Sequence, residues 1–363
     1  MTSCFTWELV TGNWEQLYCA KLPVTCYLLP VTSSQFPVPC SQFPVPCYPL
    51  NSPRIGWYLY DWANSAFSAS VVTVFLGPYL ASVAKAAADA NGQISPFGIT
   101  MHPGAFFSFA VSASVLLQVI VLPIIGALTD RTTLKRRMLG TMAFIGSLAT
   151  TLLFFVTAED GNYLLGGGLF VIANLAFGAS MVVANAFLPI LASPDERDKV
   201  SSRGWALGYF GGGLLLLIHL LYFQHVEAMN GPTGYAVRII LSSAGIWWAL
   251  FTLAPLTMLP KTVATPLADD GAPNIGRSFA QLWHTLKSLR AFPMTLLFFV
   301  AYLLYNDAVQ TVISMASVYG QEELHLDMGV LTTAILIVQF VAVGGSLLFE
   351  RIARIITTKR AIV

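Results

Sequence analysis

Gly126-Ala127-Leu128-Thr129-Asp130-Arg131, with Lys135-Arg136-Arg137 close behind, is a short charged stretch between two long apolar ones, 105–128 and 138–157. Each apolar stretch has roughly 20 mainly apolar residues, enough to cross a ~30 Å hydrocarbon core as a helix. The charged stretch then reads as a tight loop at a membrane surface. Gly126 lets a neighbouring helix pack close, Asp130 can face a helix N-terminus or an arginine, and the basic cluster of Arg131, Arg136 and Arg137 can anchor to anionic headgroups.

The same alternation continues outward from this loop. From residue 55 onward there are eight candidate spans, 57–83, 105–128, 138–157, 163–191, 204–223, 238–259, 292–315 and 328–349. Amphipathic soluble helices would show a polar face every three or four residues; these mostly do not. Composition agrees, with hydrophobic residues at 56% and charged residues at 10%, against about 25% charged in a soluble domain. A charged outer layer cannot be built from so few residues. The net charge of +1 excludes a strongly basic nucleic-acid binder.

Basic residues set the expected orientation. Arg131, Lys135, Arg136, Arg137, Arg197, Lys199, Arg203, Lys261, Arg277, Lys287, Arg290, Arg351, Arg354, Lys359 and Arg360 all fall on one side of the spans. Only Lys85 and Arg238 fall on the other. Both termini are therefore expected in the cytosol.

The chain is not of one piece. All five cysteines (Cys4, Cys19, Cys26, Cys40, Cys47) lie in the first 47 residues, and Ser-Gln-Phe-Pro-Val-Pro-Cys occurs at 34–40 and again at 41–47. A signal peptide and zinc-ligand spacing are both absent there. Residues 1–53 read as a disordered Pro- and Cys-rich leader, of the kind that read-through from upstream repetitive DNA would give. Residues 54–259 read as a six-helix bundle, 260–291 as a cytosolic central loop, and 292–363 as a partial second bundle of two helices and a basic tail. A transporter of two six-helix halves has such a loop, so four helices of the second half are expected to be missing, by truncation or in the gene.

The Gly126–Arg137 stretch resembles the loop signature of the major facilitator superfamily, with Thr133 and Leu134 departing from the usual Gly and Arg. A degraded echo, Glu350-Arg351 with Lys359-Arg360, follows the eighth span, and Leu59-Tyr60-Asp61-Trp62-Ala63 is echoed by Leu304-Tyr305-Asn306-Asp307-Ala308. Tyr60-Asp61-Trp62-Ala63-Asn64-Ser65-Ala66-Phe67 looks like the first-helix signature of the autophagy-related vacuole effluxers and their bacterial permease relatives, a branch of the major facilitators. Asn185-Ala186-Phe187-Leu188-Pro189 and Ser202-Arg203-Gly204-Trp205-Ala206-Leu207-Gly208-Tyr209 agree with it. The resemblance covers about 54–363. It implies an all-α polytopic fold, a secondary permease without cofactors and, in the fungal branch, amino-acid export from the vacuole. It also implies a bacterial inner membrane or a fungal vacuolar membrane as the location.

Asp61 and Asp307 are the acidic residues lying clearly inside spans. A charge at such depth costs about 2.5–3.5 kcal/mol on insertion scales, so function is the first hypothesis. Proton or cation coupling is the expected role for Asp307. Asp61 lies nearer an interface, where a structural role is equally open. Asn64, Asn185 and Gln310 are the other candidate residues of a small-solute pathway, with interhelical hydrogen bonding the rival explanation for each amide. Gln118, Asn174 and Gln339 pose the same choice. Gly204, Gly208 and Gly212 form a stripe suited to close helix contact, and no Gly-Lys-(Ser/Thr) follows to make a nucleotide site. The five histidines show no metal-ligand spacing; His219 reads as a packed neutral ring or a proton carrier. No catalytic cluster of the kind a membrane-embedded enzyme needs is found. A non-transporting remnant or interaction protein is the remaining alternative.

Overall fold

The computed structural model describes residues 5–10, 13–18, 52–131, 134–261 and 287–356. Two units separate at Pro53. In the first, β1 (Phe5–Val10) and β2 (Asn13–Tyr18) form an antiparallel hairpin, Phe5 opposite Tyr18 and Val10 opposite Asn13. The rest of the expected leader, and most of the expected central loop, lie outside the described residues.

The second unit is built of eight long apolar helices. They are α1 (Pro53–Ala86), α2 (Pro103–Thr129, its helix running on to Arg131), α3 (Lys135–Phe155), α4 (Tyr163–Leu191), α5 (Pro194–Ala228), α6 (Thr233–Met258), α7 (Pro293–Glu322) and α8 (Met328–Ile356). Each is long enough to cross a bilayer, and together they make an integral multi-pass membrane protein. The expected span 204–223 falls short of α5 at its start. Asp198, Lys199 and Arg203 extend that helix as a polar turn beyond the apolar stretch. Regular helix in α4 stops at Asn185 and resumes over Leu188–Leu191. Pro189 has no N–H to meet the Asn185 carbonyl, which breaks the ladder there.

Contacts fix which helix ends lie together. At one end Arg54 donates to Glu196 at 2.7 Å and to the Leu191 carbonyl at 2.8 Å, while Arg203 pairs with Glu350 at 3.1 Å. Arg136 reaches the Leu259 carbonyl at 3.4 Å at that same end, called here the basic end. At the opposite end Lys85 pairs with Glu322 at 2.7 Å. Arg238 donates to the Phe154 carbonyl and lies over the Phe154 ring, 4.6 Å from its centroid. The two basic residues that break the charge bias are thus both committed to partners.

In lipid, helices gain little from burying apolar surface against each other, so close packing and buried hydrogen bonds carry the association. Helix α1 is the hub: it touches α2, α4, α5, α6 and α7. Helix α3 packs between α4 and α6, α2 lies on α4, and α8 runs along α5. Glycines permit the closest crossings. A Cβ at Gly146 of α3 would stand 2.3 Å from the Trp248 ring of α6, and one at Gly245 of α6 would stand 2.6 Å from the Thr151 backbone nitrogen.

The middle of α1 departs from α-helix. Phe67–Phe75 is a nine-residue π-helical segment, in which Leu76 N–H reaches the carbonyl of Val71, five residues back. The β-branched run Val71-Val72-Thr73-Val74 packs poorly in an α-helix. The Thr73 hydroxyl also bonds the Ser68 carbonyl, five residues back, at 2.8 Å. Short π segments recur at functional sites.

Candidate functional site

The candidate residues are best described from α1 outward. Asp61 is 8% exposed and Asn64 4% exposed, one turn apart on a helix that is buried for most of its length. Asn64 donates to the Met181 sulfur of α4 at 3.3 Å, and the Trp57 indole donates to the Ala184 carbonyl at 2.8 Å. Asp61 turns instead toward α5, where the glycine stripe makes room. A Cβ at Gly204 would stand 2.4 Å from the Trp57 ring and 2.7 Å from the Asp61 carboxylate. One at Gly208 would meet the Ser65 hydroxyl at 2.9 Å, and one at Gly212 the Ser65 carbonyl at 3.0 Å. Gly211 faces Trp62, which stacks on Trp247 of α6 at 5.8 Å. The stripe therefore seats α1 directly on the α5 backbone.

The other candidate positions are dispersed. Asn185 is exposed, about one turn nearer the basic end than Met181. Asp307 and Gln310 are exposed on the first two thirds of α7, a stretch that no helix among the described residues buries. Asp61 and Asn64 are thus brought together, Asn185 lies near them, and Asp307 and Gln310 stand apart. Asp307 is fifteen residues into the helix, with its neighbours on α7 also exposed.

Two further amides turn out to be interhelical ties. Gln118 of α2 donates to the Asn174 carbonyl at 3.1 Å, and the Asn174 amide donates to the Ser114 hydroxyl at 2.8 Å. His219, 3% exposed, joins three helices: Nδ1 lies 2.9 Å from the Ser70 hydroxyl of α1, and Nε2 lies 2.9 Å from the Ser243 hydroxyl of α6. Ser243 spends its own proton on the Ile240 carbonyl. Nε2 must then carry the ring proton, and Ser70 donates to Nδ1. Each partner is satisfied with a neutral ring, which is the packed-histidine alternative.

The loop motif is only partly inside the described residues. Asp130 and Arg131 end the α2 helix, but their side chains lie outside the described set. Arg136 bonds the end of α6, and Arg137 is exposed. Close packing at Gly126 is not what this structure shows. A Cβ there would stand 3.7 Å from Val182, an ordinary contact, so an alanine fits. Gathered metal-ligand groups are absent among the described residues.

Contacts between the first six helices and the last two were not read from the sequence, and three of them show why. Glu350 of α8 accepts two hydrogen bonds from Arg203 of α5, at 3.1 and 3.3 Å, and a third from Arg354 at 3.0 Å. The Glu350-Arg351 echo was the available signal for it. Lys85 with Glu322 is the second, and the lone basic residue after the first span could have suggested it. The third, Ser317 of α7 donating to the Thr73 carbonyl of α1, leaves no trace in residue type.

A set of eight apolar spans agrees with what comparison finds. The family described as "Vacuole effluxer Atg22 like" matches residues 52–363. The chain belongs to that family. It is similar to an uncharacterized MFS-type transporter, YxiO, of Bacillus subtilis, at 28% identity, covering 84% of this chain and 68% of that protein. It is also similar to autophagy-related protein 22-1 of Penicillium rubens, at 25% identity over 80% of this chain and 66% of that protein. Autophagy-related protein 22 of Gibberella zeae matches at 25% identity, over 75% of this chain and 54% of the relative. The chain thus spans about half to two thirds of the length of these curated relatives. Membership places this vacuole-effluxer-like chain among all-α polytopic major facilitators, transporters and not enzymes.

Proposed function

We propose that the chain works as a secondary transporter, moving small solutes across a membrane by alternating access, with amino acids the first class to test. The observation that supports it best is the position of α1. One buried helix carrying Asp61 and Asn64 touches α5 and α6 of the first six helices and α7 of the last two, so its movement relative to any of them alters the space between the two sets. Its π segment supplies a place to bend. Amino acids as cargo come from the resemblance read in residues 60–67, whose fungal branch implies their export. In this reading residues 54–259 and 292–363 belong to two bundles joined by the 260–291 loop. Asp61, Asn64, Asn185 and Gln310 border the pathway, Asp307 carries the coupling proton or cation, and the 126–137 loop gates the basic end.

A ligand that binds the folded chain stabilises it in proportion to its occupancy, by about 2.7 kcal/mol at a concentration 100 times Kd. In a thermal-stability screen of the detergent-solubilised chain against single amino acids, a subset is expected to raise the melting temperature by several degrees. A flat response to all of them would remove amino acids as the solute class. Orientation is tested separately. The charge bias puts the basic end in the cytosol, so an impermeant thiol reagent is expected to reach a cysteine at Gly161 from outside and one at Asp270 from inside. The reverse pattern would invert the topology.

A further inference from the structure

The junction of α1 with α7 is made on a backbone carbonyl of the π segment. The Thr73 carbonyl accepts from the Ser317 hydroxyl, 1% exposed, of the other set of helices. A hydroxyl buried in an apolar interior is costly without a partner, and this carbonyl satisfies it.

The surrounding contacts run in one stripe toward the end opposite the basic one. Gly77, one turn beyond Thr73, faces Val318 so closely that a Cβ would stand 2.4 Å from it. Lys85, two turns further, pairs with Glu322 at 2.7 Å. On α2, the Ser108 hydroxyl donates to the Met315 sulfur at 3.2 Å. Below Met315, toward the basic end, α7 is exposed. Along α1 and α7 the two sets are therefore closed on each other at the Lys85–Glu322 end, while α5 and α8 are joined at the basic end through Arg203 and Glu350. Lys85 and Glu322 are partly exposed, at 49% and 20% of their side chains, and such a pair contributes little. The buried hydroxyl–carbonyl bond is the stronger part of the closure.

We propose that Ser317 and the Thr73 carbonyl form the latch that holds this end shut. Opening the pathway there requires this bond to break. The latch rests on the transport reading for its purpose but not for its detection.

The test uses the full chain in sealed vesicles, with the five native cysteines replaced by serine and Met315→Cys as the reporter. An impermeant maleimide is applied from each face in turn. Ser317→Ala is expected to raise the labelling rate from the Lys85–Glu322 face by roughly fivefold, the loss of one buried hydrogen bond. Ser317→Thr keeps the hydroxyl and is expected to label at the parent rate. Labelling unchanged by Ser317→Ala, or raised as much by Ser317→Thr as by Ser317→Ala, would overturn the latch. Labelling needs no solute, so a chain that moves nothing yet responds to Ser317→Ala and not to Ser317→Thr sinks the transport reading and leaves the latch standing.

Discussion

Gly245→Leu is expected to leave little or no monodisperse protein after extraction. The crossing of α6 on α3 at this point is made by backbone: a Cβ would stand 2.6 Å from the Thr151 nitrogen and 2.7 Å from the Ser147 carbonyl oxygen. Flexible side chains can move aside, but helix backbone within two packed spans cannot. Overpacking usually costs about 1–3 kcal/mol, and a contact with backbone belongs at or above the upper end. The damage would spread, since α3 also carries α4 and α6 also carries Trp248, which packs on Phe67 of α1 at 5.5 Å. Gly168→Leu is the matched control. Nothing stands within 4 Å of a Cβ at Gly168 of α4, so the same change is expected to leave the elution profile and the melting temperature close to the parent's. Equal yields for both variants would mean that α3 and α6 do not cross as described.

The number and order of the spans were legible because lipid imposes a length and an apolar composition that any membrane helix must meet. What lies between the spans was less legible. The Gly204–Gly208–Gly212 stripe announced a close contact, but not that its partner is α1, since small residues carry no address. Gly126 shows the reverse: the motif suggested tight packing, and the space beside it admits a methyl group. Gln118 and Asn174 read equally well as pathway or as interhelical ties until their partners were placed on Ser114 and on each other's helices. The π segment was invisible, because the β-branched run Val71-Val72-Thr73-Val74 reads like any other apolar stretch of a span. Glu350 was half legible, as the echo of the 126–137 loop, while its partner Arg203 read only as one more basic residue on the cytosolic side.

Asp307→Asn is the second large effect expected, and Asp61→Asn is the comparison that gives it meaning. Asp307 lies fifteen residues into α7, on a face that no other described helix covers. A carboxylate at that depth is costly unless it meets water or a cation, and a solute pathway supplies both. The asparagine keeps the shape and one acceptor but can carry no proton on the cycle. Accumulation against a gradient is expected to fall to background, while exchange of labelled for unlabelled solute, which needs no net proton movement, continues. Asp61 is packed against Gly204 and Trp57, so Asp61→Asn is expected to lower protein yield or slow both processes together.

Both comparisons depend on a flux to compare. The direct measurement is uptake of a labelled amino acid by liposomes containing the purified chain, with and without an imposed proton gradient. A saturable uptake above protein-free liposomes, raised by the gradient and competed by unlabelled solute, is the expected result. Uptake no greater than that of protein-free liposomes, for every solute that stabilises the protein against heat, would contradict it.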